Sequence, residues 1–179
     1  MNIFDHLDGF QADLRSKGLE ELEEKYYNLC SKLAGIGFTD EIRKVDLQSY
    51  ENKLTDLLQE SIQLAHKQKA KAIYFEYDLD NNWDSAFFIC GDYSPLEDED
   101  DDWASDWYGN VEGPALEKFS EIHNINGFDK NEIAIGTTVY LIARTVLSFA
   151  RAYNNVPTED SLAICIAFHD QDLIIRIKE

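Results

Sequence analysis

Ala72-Ile73-Tyr74-Phe75-Glu76-Tyr77, a polar stretch over residues 78–82, then Trp83 and Ala86-Phe87-Phe88-Ile89-Cys90 decide the fold. Both apolar runs are rich in aromatic and β-branched residues, and the segment between them carries Asp and Asn. The pair therefore reads as a β-hairpin, with Gly91 closing its second strand. Everything on either side must supply cover for that hairpin.

Towards the N-terminus the period changes from two to three and four. Leu19, Leu22, Tyr26, Leu29 and Leu33 form one stripe, which Gly35-Ile36-Gly37 ends. Leu47, Tyr50, Leu54, Leu57, Leu58, Ile62 and Ala65 form another, starting near Asp46. The spacing predicts two amphipathic helices in an antiparallel hairpin. Towards the C-terminus, Gly113-Pro114 opens a short helix through Phe119 and Ile122, and Asn126-Gly127 breaks it. Asp129 is the expected N-cap of a longer helix bearing Ile133, Val139, Ile142, Val146, Phe149 and Tyr153. Residues 139–147 hold one charge, so that helix is expected at the centre. Leu162-Ala163-Ile164-Cys165-Ile166-Ala167-Phe168, a turn at Asp170-Gln171-Asp172, and Leu173-Ile174-Ile175-Arg176-Ile177 give a second hairpin. The expectation is one α+β domain over residues 1–179, with an antiparallel sheet of about four strands on about four helices.

The whole chain holds 179 residues, enough for one proper core. No apolar run approaches the roughly 18 residues of a membrane span. The start, Met1-Asn2-Ile3-Phe4-Asp5, lacks the basic residues of a secretory signal. Cys30, Cys90 and Cys165 sit among apolar neighbours with no CxxC spacing, as expected of buried thiols in a reducing cytoplasm.

Charge is unevenly spread. Lys and Arg number 16 against 35 Asp and Glu, a net of −19. Residues 72–129 contain one base, Lys118, against 16 acids, which is −15 of that total. Such a field repels phosphate backbones and anionic membranes and draws in basic proteins or cations. Direct binding of nucleic acid or membrane is not expected.

Within that region, Glu97-Asp98-Glu99-Asp100-Asp101-Asp102-Trp103-Ala104-Ser105-Asp106-Trp107-Tyr108 joins acids to three large rings. Trp103 and Trp107 stand four apart, on one face if a helical turn forms. Trp107 is expected in the core, with Trp103 and Tyr108 partly exposed. The candidate partner-binding residues are Asp98, Asp100, Asp101, Asp102, Trp103, Asp106 and Tyr108, with Asp78, Asp80 and Asp84 as a second cluster. Carboxylates speed encounter, and desolvated rings slow release.

Other chemistry finds less support. Asp78-x-Asp80-x-Asn82-x-Asp84 opens like a calcium loop, but Trp83 and Ile89 occupy the positions that need Gly and Glu. The bland reading is a hairpin turn. His6, His66, His123 and His169 show no metal-binding spacing, and Cys165 with His169 lacks an orienting third group. No catalytic set, metal site or cofactor is expected.

A strongly acidic α+β chain of this size resembles the bacterial immunity proteins of contact-dependent growth inhibition and other polymorphic toxin systems. The strand Ala72–Tyr77, its partner Ala86-Phe87-Phe88-Ile89-Cys90 and the segment Asp102-Trp103-Ala104-Ser105-Asp106-Trp107 carry the likeness, over roughly residues 72–125. The resemblance implies neutralisation of a cognate basic toxin domain, often a nuclease, in the cytoplasm. A general acidic adaptor and a carboxylate-based, metal-dependent hydrolase are the alternatives.

Overall fold

The computed structural model describes residues 2–157, 161–169 and 173–179. In chain order these form α1 (Ile3–Leu7), α2 (Phe10–Ser16), α3 (Leu19–Ala34), α4 (Ile36–Arg43), α5 (Gln48–Gln68), β1 (Ala72–Tyr77), β2 (Ser85–Cys90), β3 (Trp107–Glu112), α6 (Glu117–Asn126), α7 (Glu132–Asn154), β4 (Ala163–Phe168) and β5 (Ile175–Lys178). Two short 3₁₀ turns, Leu96–Asp98 and Asp102–Ser105, lie between β2 and β3.

The sheet is mixed, with five strands in the order β3-β2-β1-β4-β5. Both expected hairpins form: β1 pairs antiparallel with β2, and β4 with β5. The turn at residues 170–172 lies outside the described residues. The expectation of an antiparallel sheet of about four strands on about four helices is corrected: the described residues form seven helices, and the sheet is mixed with five strands. β1 runs parallel to β4, with Ala72 opposite Ala163 and Tyr77 opposite Phe168. A parallel pair needs a long crossover, which the path through β2, β3, α6 and α7 supplies. The fifth strand, β3, begins at the end of the acidic, ring-bearing stretch 97–108, which carries no strand signal in the sequence.

α7 is the organising helix. Asn131, not Asp129, caps it, its side-chain oxygen accepting from the Ala134 N–H at 2.9 Å. By length and composition α7 could cross a membrane, yet 89% of its most apolar window is buried within the protein. α3 and α5 each pack along α7, so the expected α3–α5 hairpin is replaced by a shared seat on that helix. Phe149 of α7 stacks on Phe75 of β1 at 4.8 Å, and the Trp83 indole N–H donates to Thr145 Oγ1 at 3.1 Å. The indole is wholly buried although the Trp83 backbone is left-handed, with φ +56°. Burial of the ring and its hydrogen bond hold that strained turn in place.

Strand alternation gives the sheet two different faces. Ile73, Phe75, Tyr77, Phe87, Ile89, Ile164 and Ile166 point into the main core with the helices. Ala72, Tyr74, Cys90, Ala163, Cys165 and Ala167 point the other way and form a second, smaller core with Trp103. What covers that outer face is the acidic segment.

Candidate functional site

The pairing register lays the outer face out in rows. One row runs Glu112, Ala86, Glu76, Ala167, and the next runs Asn110, Phe88, Tyr74, Cys165, Arg176. Trp107, Cys90, Ala72 and Ala163 make the third. Small side chains on β4 leave room above the last two rows. Trp103 fills it, meeting Tyr93 edge-on at 5.0 Å and Tyr74 at 6.3 Å.

This placement reverses the expectation for the two tryptophans. Trp103 is 5% exposed and belongs to the core, whereas Trp107 is 46% exposed. They do not share a helical face: Trp103 sits in a 3₁₀ turn and Trp107 begins β3. Trp107 leans on Phe88 at 5.1 Å, leaving much of its ring in solvent. Tyr108, 58% exposed as expected of it, rests against Gly91, where any Cβ would collide with its hydroxyl.

The acidic segment is pinned to the sheet from β5. Arg176 Nη2 lies 2.6 Å from Asp101 Oδ1, and the Glu179 carboxylate accepts from the Leu96 N–H at 2.8 Å and the Tyr93 hydroxyl at 2.9 Å. Burial works against the Glu179 carboxylate, but those two hydrogen bonds together with Arg15 and Arg176 hold its carboxyl below the usual range. Asp101 is thus a structural ion pair. Asp100 is partly engaged too, accepting from the Asp102 N–H at 3.0 Å. Asp98, Asp102 and Asp106 are exposed.

The second predicted cluster divides. Asp78 and Asp84 line an open groove of about 250 Å³ on the outer face, with Ala86, Phe88, Glu76 and His169. Asp80 points elsewhere, with Oδ1 3.4 Å from Nε2 of the buried His123 on α6. Glu76 is held inside the groove by the Tyr74 hydroxyl and His169 Nδ1, each at 2.9 Å. Phe88 joins the two regions, since it lines the groove and carries Trp107.

Among the described residues, none of Asp78, Asp84, Glu97, Asp98, Glu99, Asp100, Asp102, Asp106 and Glu112 is ion-paired with a cation. They lie on the acidic segment, the β1–β2 turn and β3. The sequence reading missed Glu76, Phe88 and Glu112, although alternation along β1 and β2 placed Tyr74, Glu76 and Phe88 on one face. No three His, Cys, Asp or Glu among the described residues are grouped to hold a metal ion. Burial pushes the thiols of Cys30 and Cys90 up to about 12 and raises that of Cys165 further. None of them is a ready nucleophile.

No protein-family model, curated protein or solved structure matches the chain.

Proposed function

We propose that this chain is a cytoplasmic immunity protein: it binds a basic toxin domain, of nuclease type, on the outer face of its sheet and neutralises it without chemistry of its own. One observation carries the reading. Carboxylates without cationic partners fill the acidic segment that runs into two exposed rings, Trp107 and Tyr108, at the start of β3, and two more, Asp78 and Asp84, line the outer-face groove at the opposite end of β2. A domain with Lys and Arg lining a phosphate groove complements that surface in sign. Carboxylates raise the association rate, and the rings supply anchors that can be desolvated. Asp98, Asp100, Asp102, Asp106, Asp78 and Asp84 would meet cations. Trp107 and Tyr108 take the anchoring role that the sequence assigned to Trp103 and Tyr108.

The test is capture of a basic protein from the cell of origin on the immobilised chain, followed by co-expression. Support requires that the captured protein be toxic when expressed alone, harmless with the chain, and released by high salt. A set of weakly held proteins with no toxic member, bound equally at low and high salt, fits an adaptor instead and overturns the reading.

A further inference from the structure

The two edges of the sheet are treated differently. At β5 the side chain of Gln11 closes the edge: its Nε2 donates to the Arg176 carbonyl at 2.9 Å, and the Arg176 N–H donates to its Oε1 at 2.6 Å. One side-chain amide thereby replaces a neighbouring strand. At β3 no such plug exists among the described residues, and β3 pairs only with β2.

Parity fixes which groups β3 leaves open. The Gly113 N–H donates to the Ser85 carbonyl at 2.8 Å, which makes Gly113–Ser85 a hydrogen-bonded pair. In an antiparallel ladder the pairs alternate, so Val111 and Gly109 turn towards β2 while Asn110 and Glu112 turn their amides and carbonyls outward. A bulge at Ile89/Cys90 sets Tyr108 outside the regular pairing. Natural proteins guard such an edge unless it is used. Here one edge is guarded and the other presents exposed Trp107 and Tyr108.

We infer that β3 is a strand-addition site, where an extended, Lys- or Arg-bearing segment of the partner pairs with Asn110 and Glu112 as a sixth strand. This rests on the reading of a basic partner given above and specifies how it is gripped. Charge selects the occupant. Asp106 and Glu112 bracket the strand, and a second copy of a chain with net charge −19 would bring like charges together along it. A basic segment instead meets carboxylates at both ends while its backbone completes the ladder.

The experiment uses Asn110→Pro, which removes an outward N–H and no ladder hydrogen bond to β2, with Asn110→Ala as the control that keeps it. The probe is the basic protein retained in the salt-reversible capture. Expected is a loss of about tenfold or more in affinity for N110P, with N110A close to wild type. Amide exchange at residues 110–112 of the wild-type chain should slow in the complex, which also decides the matter if N110P fails to fold. Equal binding by N110P together with unprotected amides would overturn strand addition while leaving the basic partner intact. Retention of no basic protein would overturn both.

Discussion

Arg176 on β5 and Asp101 in the acidic segment form an ion pair at 2.6 Å, with the arginine side chain 2% exposed and the aspartate 36%. Burial alone would lower the Arg176 pKa, and Asp101, with smaller help from Cys165 and Tyr93, raises it instead. The most negative stretch of the chain is therefore fastened by a cation from outside it. Asp101→Asn leaves a buried guanidinium short of its counter-charge. The expected cost is about 1–2 kcal/mol, below that of a fully enclosed pair because Asp101 still meets water. Urea unfolding measures it, and limited proteolysis should show faster cutting within residues 96–106.

Trp103 gives a second prediction with unequal outcomes for two substitutions. Its ring fills the space above small β4 side chains, but its indole N–H is buried without a hydrogen-bond partner among the described residues. Trp103→Ala should cost about 3–5 kcal/mol, since cavity and transfer losses add. Trp103→Phe removes the orphaned donor as well as some volume, so its cost should fall below about 1.5 kcal/mol. Thermal unfolding of the two variants side by side checks the contrast.

Gly136 tests the seat of α3 on α7. Gly to Ala in a helix interior ordinarily stabilises by about 0.5–1 kcal/mol. At Gly136 a Cβ would stand 2.9 Å from the backbone nitrogen and the Cβ of Ala34. Backbone cannot yield as a flexible side chain does, so Gly136→Ala should destabilise by about 1–3 kcal/mol. A stabilised variant in chemical denaturation would mean the helices sit further apart than described.

His123 confers a pH dependence. The ring is buried, with Nδ1 3.4 Å from Thr138 Oγ1 and Nε2 facing Asp80. Burial lowers its pKa from 6.5, and the Asp80 charge only partly opposes this. The unfolded chain takes up the proton first as pH falls below about 6.5, so the fold loses stability there and keeps it above. His123→Gln should flatten that part of the stability–pH curve relative to wild type.

How far the sequence could be read depended on local pattern. The β1–β2 hairpin was legible because aromatic and β-branched runs flank a polar turn, and the buried α7 because a long apolar stretch with one charge over residues 139–147 demands burial. β3 was hidden: Trp107-Tyr108-Gly109-Asn110-Val111-Glu112 lies exposed at an edge, and its Gly and Asn disguise it as loop. The parallel pairing of β1 with β4 was hidden for another reason, since Ala163-Ile164-Cys165-Ile166-Ala167-Phe168 reads as a buried strand in either direction. α4 was missed because Gly35 stops one helix and the chain begins the next at Ile36. Trp103 and Trp107 exchanged their expected roles because composition says that a ring needs cover and not which of two neighbours receives it. The charge concentration was fully legible, whereas the capture of Asp101 by Arg176 depends on residues 75 positions apart.

The central claim concerns where the unpaired charge sits, and a matched pair of variants tests it most directly. One replaces Asp98, Asp100, Asp102 and Asp106 by Asn; the other neutralises Asp8, Glu41, Asp56 and Glu60, exposed residues of the helical layer. Both change the net charge equally. Affinity for the captured basic protein, measured over a salt series, should fall by about tenfold or more and lose salt dependence in the first variant alone. Equal losses in both, or none in either, would contradict the account, because binding would then follow total charge or ignore charge altogether.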